Sequence, residues 1–372
     1  MGTGVLTAYY WEDEDPDLRL NPGVAHPGAG LEAMVAAEPR LRGHVLFATS
    51  GSRGCPKIVC LAKSGVRTAA QWVNRHLGCG VEDCWLLTLP VFHVGGFGLL
   101  ARVAVAGGRL EVVPGRWEAA RFVAHAKQSR ATVVSLVPTQ VHDLVTEGFR
   151  SPESIRIAVI GGGRLQPVLR ARAEELGWPV RESYGMTETA AQVATQRSSG
   201  DAEGWLPVIP DWEVRSHAGQ IWLRGEPLLT AYLECQADGS WQIRDPRDEA
   251  GWFGTGDLGE LDSEGRLRVQ GRAGRVVKIL GELVDLERLD LILAELSPDG
   301  GTVLEAVEDA RAGWRVILVS EREKAEAQKL ADQMNERIAP FERITEVRTV
   351  ARLRRSPLGK RLPQAETPDS NS

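Results

Sequence analysis

Apolar runs rich in β-branched residues alternate with longer segments of helical period through the first half of the chain. The strand-like runs are HVLFA, CWLLTL, ATVVSLV and IRIAVI, and the helix-like segments are TAAQWVNRHL, WEAARFVAHAKQ and QPVLRARAEELG. Continuous apolar strands that alternate with amphipathic helices are typical of βα units around a buried, largely parallel sheet. The pattern therefore predicts an α/β fold with a large N-terminal α/β domain.

Two changes of pattern divide the rest of the chain. After about Gly204, short strand-like pieces such as GQIWLRG and GRLRVQG are separated by Gly and Asp turns, which indicates a β-rich subdomain over about 205–271. From Arg272, two helical patterns, DLERLDLILAEL and REKAEAQKLADQMNERI, flank the strand-like WRVILVS. We expect an N-terminal core at 1–271 and a small α+β domain at 272–372, with a disordered polar tail after about residue 363.

Composition and charge argue against several classes of protein. The five cysteines form an odd set without a CxxC pair, so the sequence predicts neither a disulfide framework nor a zinc site. The sequence contains no run of about 18 uncharged apolar residues and no secretory signal at its start. The net charge of -6 is spread over interspersed acidic and basic residues, without the basic stripe that nucleic acid requires. We expect a cytoplasmic protein with reduced thiols and no membrane or nucleic-acid partner.

The stretch ATSGSRGCPK, residues 48–57, lies between two predicted strands and combines hydroxyls, glycines and one lysine. Glycine backbone N–H groups, hydroxyls and an ammonium group together can bind phosphate oxygens. The stretch differs from the Walker loop GxxxxGK[ST], because Pro56 precedes Lys57 and Ile58 stands where that loop places a hydroxyl. A standard P-loop NTPase is therefore disfavoured, and a Gly/Ser surface turn remains the alternative.

Other candidate residues each have an ordinary structural explanation. The three glycines at 161–163 follow an apolar strand, where they could lie against a planar base or form a tight turn. His93, between an apolar strand and a glycine-rich segment, is compatible with a hydrogen-bonded core histidine. Glu188 in GMTET is compatible with a neighbour of a helix cap. Lys360 in RLRRSPLGKR is compatible with a solvated surface charge.

The order of these segments resembles that of the AMP-forming acyl-CoA synthetases and adenylating enzymes. TSGSRGCPK is similar to their phosphate loop TSGSTGxPK, with Arg53 in the place of a threonine. YGMTET resembles their YGxTE motif, GWFGTGDLGELDSEGRLRVQGR resembles their TGD segment up to the hinge, and SPLGKRLP resembles their loop with the catalytic lysine. Four motifs in this order span residues 46–361. The resemblance implies a large core with a β-rich subdomain and a small mobile α+β C-terminal domain.

The resemblance also implies an ATP and Mg²⁺ site. Residues 49–57 would close over the β- and γ-phosphates, Thr187 would bond an α-phosphate oxygen, and Glu188 would hold Mg²⁺. The glycines at 161–163 and Tyr184 would enclose the adenine, while Asp257 and Arg272 would reach the ribose. The full set of ATP- and AMP-binding residues that the resemblance implies is Thr49, Ser50, Gly51, Ser52, Arg53, Gly54, Lys57, Gly161, Gly162, Gly163, Tyr184, Gly185, Met186, Thr187, Asp257 and Arg272.

For the acid, the resemblance implies that His93 orients the carboxylate and gates the acyl pocket, and that Gly95 and Gly96 make space for the substrate. Lys360, carried by the mobile domain, would bridge the carboxylate and the α-phosphate, and with His93 and Thr187 it forms the implied catalytic set.

After adenylation, rotation about a hinge following Arg272 would admit coenzyme A, with Lys278 and Gly281 facing the site in the thioester-forming pose. Gly274 and Arg275 stand at this hinge where aspartate is usual. Glycine keeps the rotation plausible there.

Three segments, LPVFHVGG, IGGGRLQP and ELGWPVRESYGMTETAAQVAT, are most similar to o-succinylbenzoate:CoA ligases, a family of menaquinone biosynthesis. That acid is an aromatic keto dicarboxylic acid, and its second carboxylate needs Arg, Ser or Thr donors. Thr189, Gln192 and Thr195 follow the YGMTE segment and are candidates for the pocket wall.

The phosphate loop comes much earlier in this chain than is usual in the family, so we expect pocket walls from elsewhere or from a partner subunit, and a homo-oligomer is compatible with this. The alternatives are another aryl- or acyl-CoA ligase, a stand-alone adenylation enzyme, and a non-catalytic nucleotide-binding homologue. The presence of Glu188, Asp257 and Lys360 together argues against the last.

Overall fold

The computed structural model describes residues 6–21, 30–49, 57–198, 201, 204–236, 239–272, 276–279, 282–309 and 312–354. The chain forms two compact units, the first Met1–Thr255 with Gly259–Gln270 and the second Gly256–Leu258 with Gly271–Ser372. No helix within the described ranges is both long enough and apolar enough to cross a membrane.

Helices and strands follow one another through both units. The helices are α1 (Leu31–Ala37), α2 (Lys63–Leu77), α3 (Val94–Ala106), α4 (Ala119–Ser129), α5 (Pro138–Thr146), α6 (Pro167–Glu175), α7 (Leu286–Leu296) and α8 (Lys324–Asn335). The strands up to the β-rich part are β1 (Asp17–Arg19), β2 (His44–Thr49), β3 (Lys57–Ala62), β4 (Cys84–Leu87), β5 (Arg109–Val112), β6 (Val133–Leu136), β7 (Ile157–Ile160), β8 (Val180–Met186) and β9 (Ala191–Thr195). The later strands are β10 (Leu206–Pro207), β11 (Glu213–His217), β12 (Gln220–Arg224), β13 (Ala231–Cys235), β14 (Trp241–Arg244), β15 (Phe253–Leu261), β16 (Arg266–Arg272), β17 (Val276–Ile279), β18 (Glu282–Asp285), β19 (Thr302–Asp309), β20 (Gly313–Ser320) and β21 (Glu346–Thr349).

A six-stranded sheet lies at the centre of the first unit, in the order β5-β4-β6-β7-β8-β9. Its first five strands are parallel and β9 runs antiparallel to β8. Every residue of β4, β6 and β7 is buried, which explains why these strands are continuous apolar runs in the sequence. The predicted α/β fold with a buried parallel sheet is confirmed.

The prediction that HVLFA belongs to this parallel sheet is wrong. β2 pairs antiparallel with β3 in a separate five-stranded sheet of order β1-β2-β3-β13-β14. Only residues 50–56 connect β2 to β3, and a connection this short joins antiparallel neighbours, whereas a parallel crossover needs a dozen residues or more. The predicted phosphate loop therefore connects two strands of a hairpin.

The β-rich part forms a five-stranded sheet of order β10-β16-β15-β12-β11. Two strands from the same part of the sequence, β13 and β14, instead extend the sheet of β2 and β3, through pairing of β13 with β3. This pairing places β13 beside the strand that follows the predicted phosphate loop.

The second unit has its own sheet, in which β18, β17, β20 and β19 are antiparallel and β21 is parallel to β20. Helices α7 and α8 bury Leu289 and Met334 in the same apolar cluster as Leu318 of β20. α7 begins after Asp285, whose carboxylate accepts hydrogen bonds from the backbone N–H groups of the first turn. The α+β character predicted for this part of the chain is confirmed.

Candidate active site

The carboxyl ends of β7 and β8 place two predicted segments side by side. The hydroxyl of Ser183 on β8 donates to the carbonyl oxygen of Ile160, at a distance of 3.1 Å, where β7 ends. An ideal Cβ at Gly161 would lie 3.0 Å from this hydroxyl, and Gly162 has a φ of +78°, which favours glycine. The glycine segment is therefore bare backbone next to the strand that carries Tyr184. Ligands of open α/β sheets bind at such an edge, and enclosure of adenine here stays a prediction.

A tight turn between β8 and β9 carries Thr187 and Glu188 on a 3-10 helix, Thr187–Thr189. An ideal Cβ at Gly185 would lie 1.5 Å from the carbonyl oxygen of Ala191, so this position requires glycine. Ala190 and Ala191 have φ values of 52° and 116°, a conformation that costs about 1–3 kcal/mol in a residue other than glycine. The turn is thus held in a strained shape directly after the residues predicted to contact the α-phosphate and the metal.

Thr189 and Thr195 both form hydrogen bonds within the structure around the turn. Both are fully buried. The Thr189 hydroxyl accepts from the backbone N–H of Met186 at 3.0 Å and lies within 3.1 Å of the carbonyl oxygen of Ala191, so it shapes the turn. The Thr195 hydroxyl donates to Oε1 of Gln192 at 3.3 Å. These hydrogen bonds fix the shape of the turn, and the predicted place of Thr189, Gln192 and Thr195 in the pocket wall stays a prediction.

Glu188 is held by Tyr232, which the sequence analysis missed. The Tyr232 hydroxyl on β13 donates to Oε1 of Glu188 at 2.9 Å, and the carbonyl oxygen of Glu188 accepts from the backbone N–H of Leu229 at 2.8 Å. The Nζ of Lys57 lies 3.2 Å from the centre of the Tyr232 ring and 3.9 Å from the carboxylate of Glu234. The side chain of Tyr232 thus contacts both the last residue of the predicted phosphate loop and the predicted metal ligand.

The donor set around Glu188 fits a Mg²⁺ ion held mainly by substrate phosphates. Among the described residues, no group of three or more His, Cys, Asp or Glu side chains could form a dedicated metal site. Mg²⁺ in nucleotide enzymes is typically bound by one or two carboxylates together with phosphate oxygens and waters. A single carboxylate whose orientation is set by a hydroxyl meets that requirement.

His93 immediately precedes α3, and its Nε2 is buried without a hydrogen-bond partner in the described part of the chain. Burial lowers the pKa of His93 to about 4, so the imidazole is neutral at physiological pH.

An ideal Cβ at Gly96 would lie 2.4 Å from the carbonyl oxygen of Pro90, so this glycine permits α3 to approach the preceding loop. This packing explains why glycine is needed at position 96, and its predicted role of making space for a substrate stays a prediction. An ideal Cβ at Gly95 would lie 3.4 Å from the side chain of Leu89, with no other contact within 4 Å among the described residues, and the role of Gly95 stays a prediction.

Replacing His93 with phenylalanine should reduce the loss of stability in acid. Because the pKa of His93 is lower in the folded protein than the usual 6.5, the unfolded chain binds more protons, and stability falls as pH drops from about 6.5 to 4. Thermal unfolding followed between pH 7.5 and pH 4 should therefore show a smaller fall in Tm for His93→Phe than for the wild type. Equal falls would contradict the assigned protonation state.

Arg102 on α3 is a second residue that the sequence analysis missed. Its side chain is only 3% exposed, and its Nη1 has no hydrogen-bond partner among the described residues. Burial lowers the pKa of Arg102 to about 10, and the guanidinium lies 5.3 Å from the ring of Trp85. An ideal Cβ at Gly98 would lie 3.4 Å from Nη2 of Arg102 and 3.5 Å from Cβ of Ala191. The buried cation thus lies close to the turn that carries Glu188.

Several predicted residues fall outside the described ranges or lack a described side chain. Asp257 lies on β15, within Gly256–Leu258 of the second unit. Only the backbone is described for Thr49, Arg272 and Lys278. The residues outside the described ranges are Ser50, Gly51, Ser52, Arg53, Gly54, Gly274, Arg275, Gly281 and Lys360. The roles of all these residues stay predictions.

Comparison with known proteins gives concordant matches. A family model described as AMP-binding enzyme matches residues 34–233. The 2-succinylbenzoate--CoA ligase of Escherichia coli K12 is 30% identical over 296 residues, which cover 79% of this chain and 62% of that protein. The enzyme of the same name from Enterococcus faecalis is 27% identical over 318 residues, which cover 79% of this chain and 63% of that protein. The chain thus spans about three fifths of the length of these curated relatives.

Two solved structures of o-succinylbenzoate Coenzyme A synthetase from Bacillus subtilis are similar to this chain. The complex with AMP has a TM-score of 0.73 at 27% sequence identity and covers 86% of this chain and 67% of that one. The complex with the acyl-adenylate intermediate has a TM-score of 0.73 at 29% identity, with the same coverage of both chains.

Proposed function

The chain belongs to the AMP-binding enzyme family, and from this premise we propose that it activates a carboxylic acid with ATP and transfers the acyl group to coenzyme A. The proposed acid is o-succinylbenzoate, which would make the chain a ligase of menaquinone biosynthesis. Support comes from the names of similar proteins from several bacteria and from the contacts of Tyr232, which bring Lys57 of β3 near Glu188 of the turn between β8 and β9.

The buried guanidinium of Arg102 is the observation that carries the choice of acid. A buried arginine with an unsatisfied nitrogen is costly unless a ligand supplies the missing acceptor. A carboxylate is the best match, because it can accept two parallel hydrogen bonds from the guanidinium fork. An acid with a second carboxylate would satisfy Arg102 while its first carboxylate reacts. A monocarboxylic acid would leave the cation unpaired.

In the proposed reaction, the groups of this chain hold the phosphates and orient the acid. Lys57 and the segment before it bind the β- and γ-phosphates, Thr187 donates to an α-phosphate oxygen, and neutral His93 orients the reacting carboxylate. Attack of a carboxylate oxygen on the α-phosphorus forms the acyl–phosphate bond and breaks the bond to pyrophosphate. A Mg²⁺ ion bound at Glu188 would neutralise part of the negative charge of the phosphates.

The remaining predicted residues complete the proposed scheme. Gly161 to Gly163, Tyr184, Gly185 and Met186 border the adenine, and Asp257 and Arg272 bind the ribose. Lys360 bridges the acid and the α-phosphate during adenylation. In the second step, with Lys278 and Gly281 facing the site, the thiol of coenzyme A attacks the acyl carbon and AMP leaves.

A panel of acids tests this proposal. With ATP and Mg²⁺, pyrophosphate release should be faster with o-succinylbenzoate than with benzoate or a medium-chain fatty acid, by about 100-fold or more in kcat/KM, because the monoacids leave Arg102 unpaired. Consumption of coenzyme A separates a ligase from a stand-alone adenylation enzyme. Preferential turnover of benzoate or fatty acid would contradict the choice of acid, and no pyrophosphate with any acid would contradict the reaction itself.

A further inference from the structure

We infer that Tyr232 is a positioning residue that couples the two phosphate-binding elements of the site, by orienting Glu188 through its hydroxyl and Lys57 through its ring. The inference rests on the proposed function, because it assigns Glu188 to Mg²⁺ and Lys57 to the phosphates of ATP. Tyr232 itself contacts neither the reacting acid nor the α-phosphorus in this scheme.

The hydroxyl of Tyr232 sets the orientation of the Glu188 carboxylate. Glu188 lies on a one-turn helix, and its backbone carbonyl accepts a hydrogen bond from the N–H of Leu229, two residues before β13. A glutamate side chain can rotate about three bonds, so a fixed backbone alone does not orient its carboxylate. The 2.9 Å hydrogen bond to Oε1 restricts this freedom, and in the proposed site Oε2 would be the oxygen that binds the metal ion. Hydrogen bonds of this kind to metal ligands typically contribute about 10- to 100-fold to metal affinity.

The ring of Tyr232 orients the ammonium of Lys57. On the sheet, Tyr232 is the direct cross-strand partner of Val59, and Lys57 lies two residues away along β3, so the two side chains extend from the same face. This geometry brings Nζ to 3.2 Å from the ring centre, which is within the range of a cation–π interaction. Glu234 also contacts Lys57, but its carboxylate receives two hydrogen bonds from Arg244 and lies 3.9 Å from Nζ.

The two contacts act together because Tyr232 cannot move independently of its surroundings. The side chain is 3% exposed and belongs to the main apolar cluster of the first unit. If the ring of Tyr232 moved together with Lys57, its hydroxyl would therefore also move away from Glu188. One rigid tyrosine thus holds a cation for the phosphates and an anion for their metal ion at a defined separation.

The hydroxyl and the ring can be tested separately through equilibrium binding of ATP, measured by calorimetry once with Mg²⁺ and once with EDTA. Tyr232→Phe should raise the Kd of Mg·ATP about ten-fold and leave the Kd of metal-free ATP within about two-fold, because it removes the hydroxyl that contacts Glu188 and keeps the ring that contacts Lys57. Tyr232→Leu should raise both values, and the metal-free Kd should rise about two- to five-fold because the ring under Lys57 is also lost. In a Glu188→Gln background, Tyr232→Phe should cause no further loss.

Tyr10→Phe is a matched control. The Tyr10 hydroxyl also donates to a carboxylate, that of Asp17 at 2.7 Å, and the ring also contacts a lysine, Lys63, with Nζ 4.6 Å from its centre. This variant should bind Mg·ATP as tightly as the wild type does. The inference is wrong if Tyr232→Phe binds Mg·ATP like the wild type, or if it weakens both forms of ATP equally. A wild-type protein that binds neither form would overturn the proposed function as well.

Discussion

Replacing Arg102 with methionine is expected to abolish efficient use of o-succinylbenzoate and at the same time to raise the Tm of the protein. The guanidinium is 3% exposed, and burial lowers its pKa to about 10. Against a usual value near 12.5, this lowering corresponds to roughly 3 kcal/mol of cost for keeping the cation in the fold. Methionine is unbranched and flexible, fills part of the same space and carries no charge. The substitution should therefore stabilise the unliganded protein.

The loss of activity should be confined to dicarboxylic acids. Without the guanidinium, the second carboxylate of the acid would be buried without a cation, so kcat/KM for o-succinylbenzoate should fall about 100- to 1000-fold. The Kd of Mg·ATP should stay at the wild-type value, because Arg102 has no proposed contact with the nucleotide. Pyrophosphate release, thermal unfolding and calorimetry on the same preparation measure the three quantities.

Arg170 provides the matched control for this substitution. It is also a buried arginine, but its guanidinium is bonded to Glu174, Glu182 and Gln196. Arg170→Met should lower the Tm, because it leaves the partly buried Glu182 without its cation. An Arg102→Met protein that unfolds at a lower temperature and still uses o-succinylbenzoate at the wild-type rate would contradict the assignment of Arg102 to the acid.

Three strands of the central sheet, β4, β6 and β7, could be predicted because each is buried on both faces and therefore consists of a continuous apolar run. This physical constraint is local, and it is visible in the residues of β4, β6 and β7. The strand that pairs with β2 could not be predicted from its apolar residues, because an apolar strand has the same composition in a parallel and in an antiparallel sheet. The short connection at residues 50–56 contained the missing information, since it excludes a parallel crossover.

The two missed residues illustrate different limits. Tyr232 meets Glu188 across 44 positions of sequence, through a pairing of β13 with β3 that no local pattern specifies. Arg102 could have been recognised, because it is the single charged residue in the helix VGGFGLLARVAVA. An arginine in a helix that is apolar on all sides has no exposed face to occupy, and this pattern predicts a buried cation.

Replacing Lys360 with alanine should reduce adenylation about 100- to 1000-fold while ATP binding is retained. During adenylation two anions, the acid and the α-phosphate, approach each other, and the ammonium that the family resemblance assigns to Lys360 would neutralise both in the transition state. Removal of one hydrogen-bond donor that stabilises the transition state typically lowers the rate by about 100- to 1000-fold. Affinity for Mg·ATP depends in our scheme on Lys57, Thr187 and Glu188, so it should stay within about two-fold of the wild type.

The half-reactions separate this role from a general effect on the protein. When acyl adenylate is supplied directly, Lys360→Ala should form the acyl-CoA at nearly the wild-type rate, because the transfer of AMP to the acid, which needs the ammonium, has already occurred. Lys329→Ala is the control, since it removes an exposed lysine of α8 from the same unit and should change neither half-reaction. Equal losses in both half-reactions would indicate damage to the second unit, and a wild-type adenylation rate would contradict the proposed mechanism. The electrostatic argument therefore predicts a loss in one half-reaction only, because the ammonium is needed only while two anions are forced together.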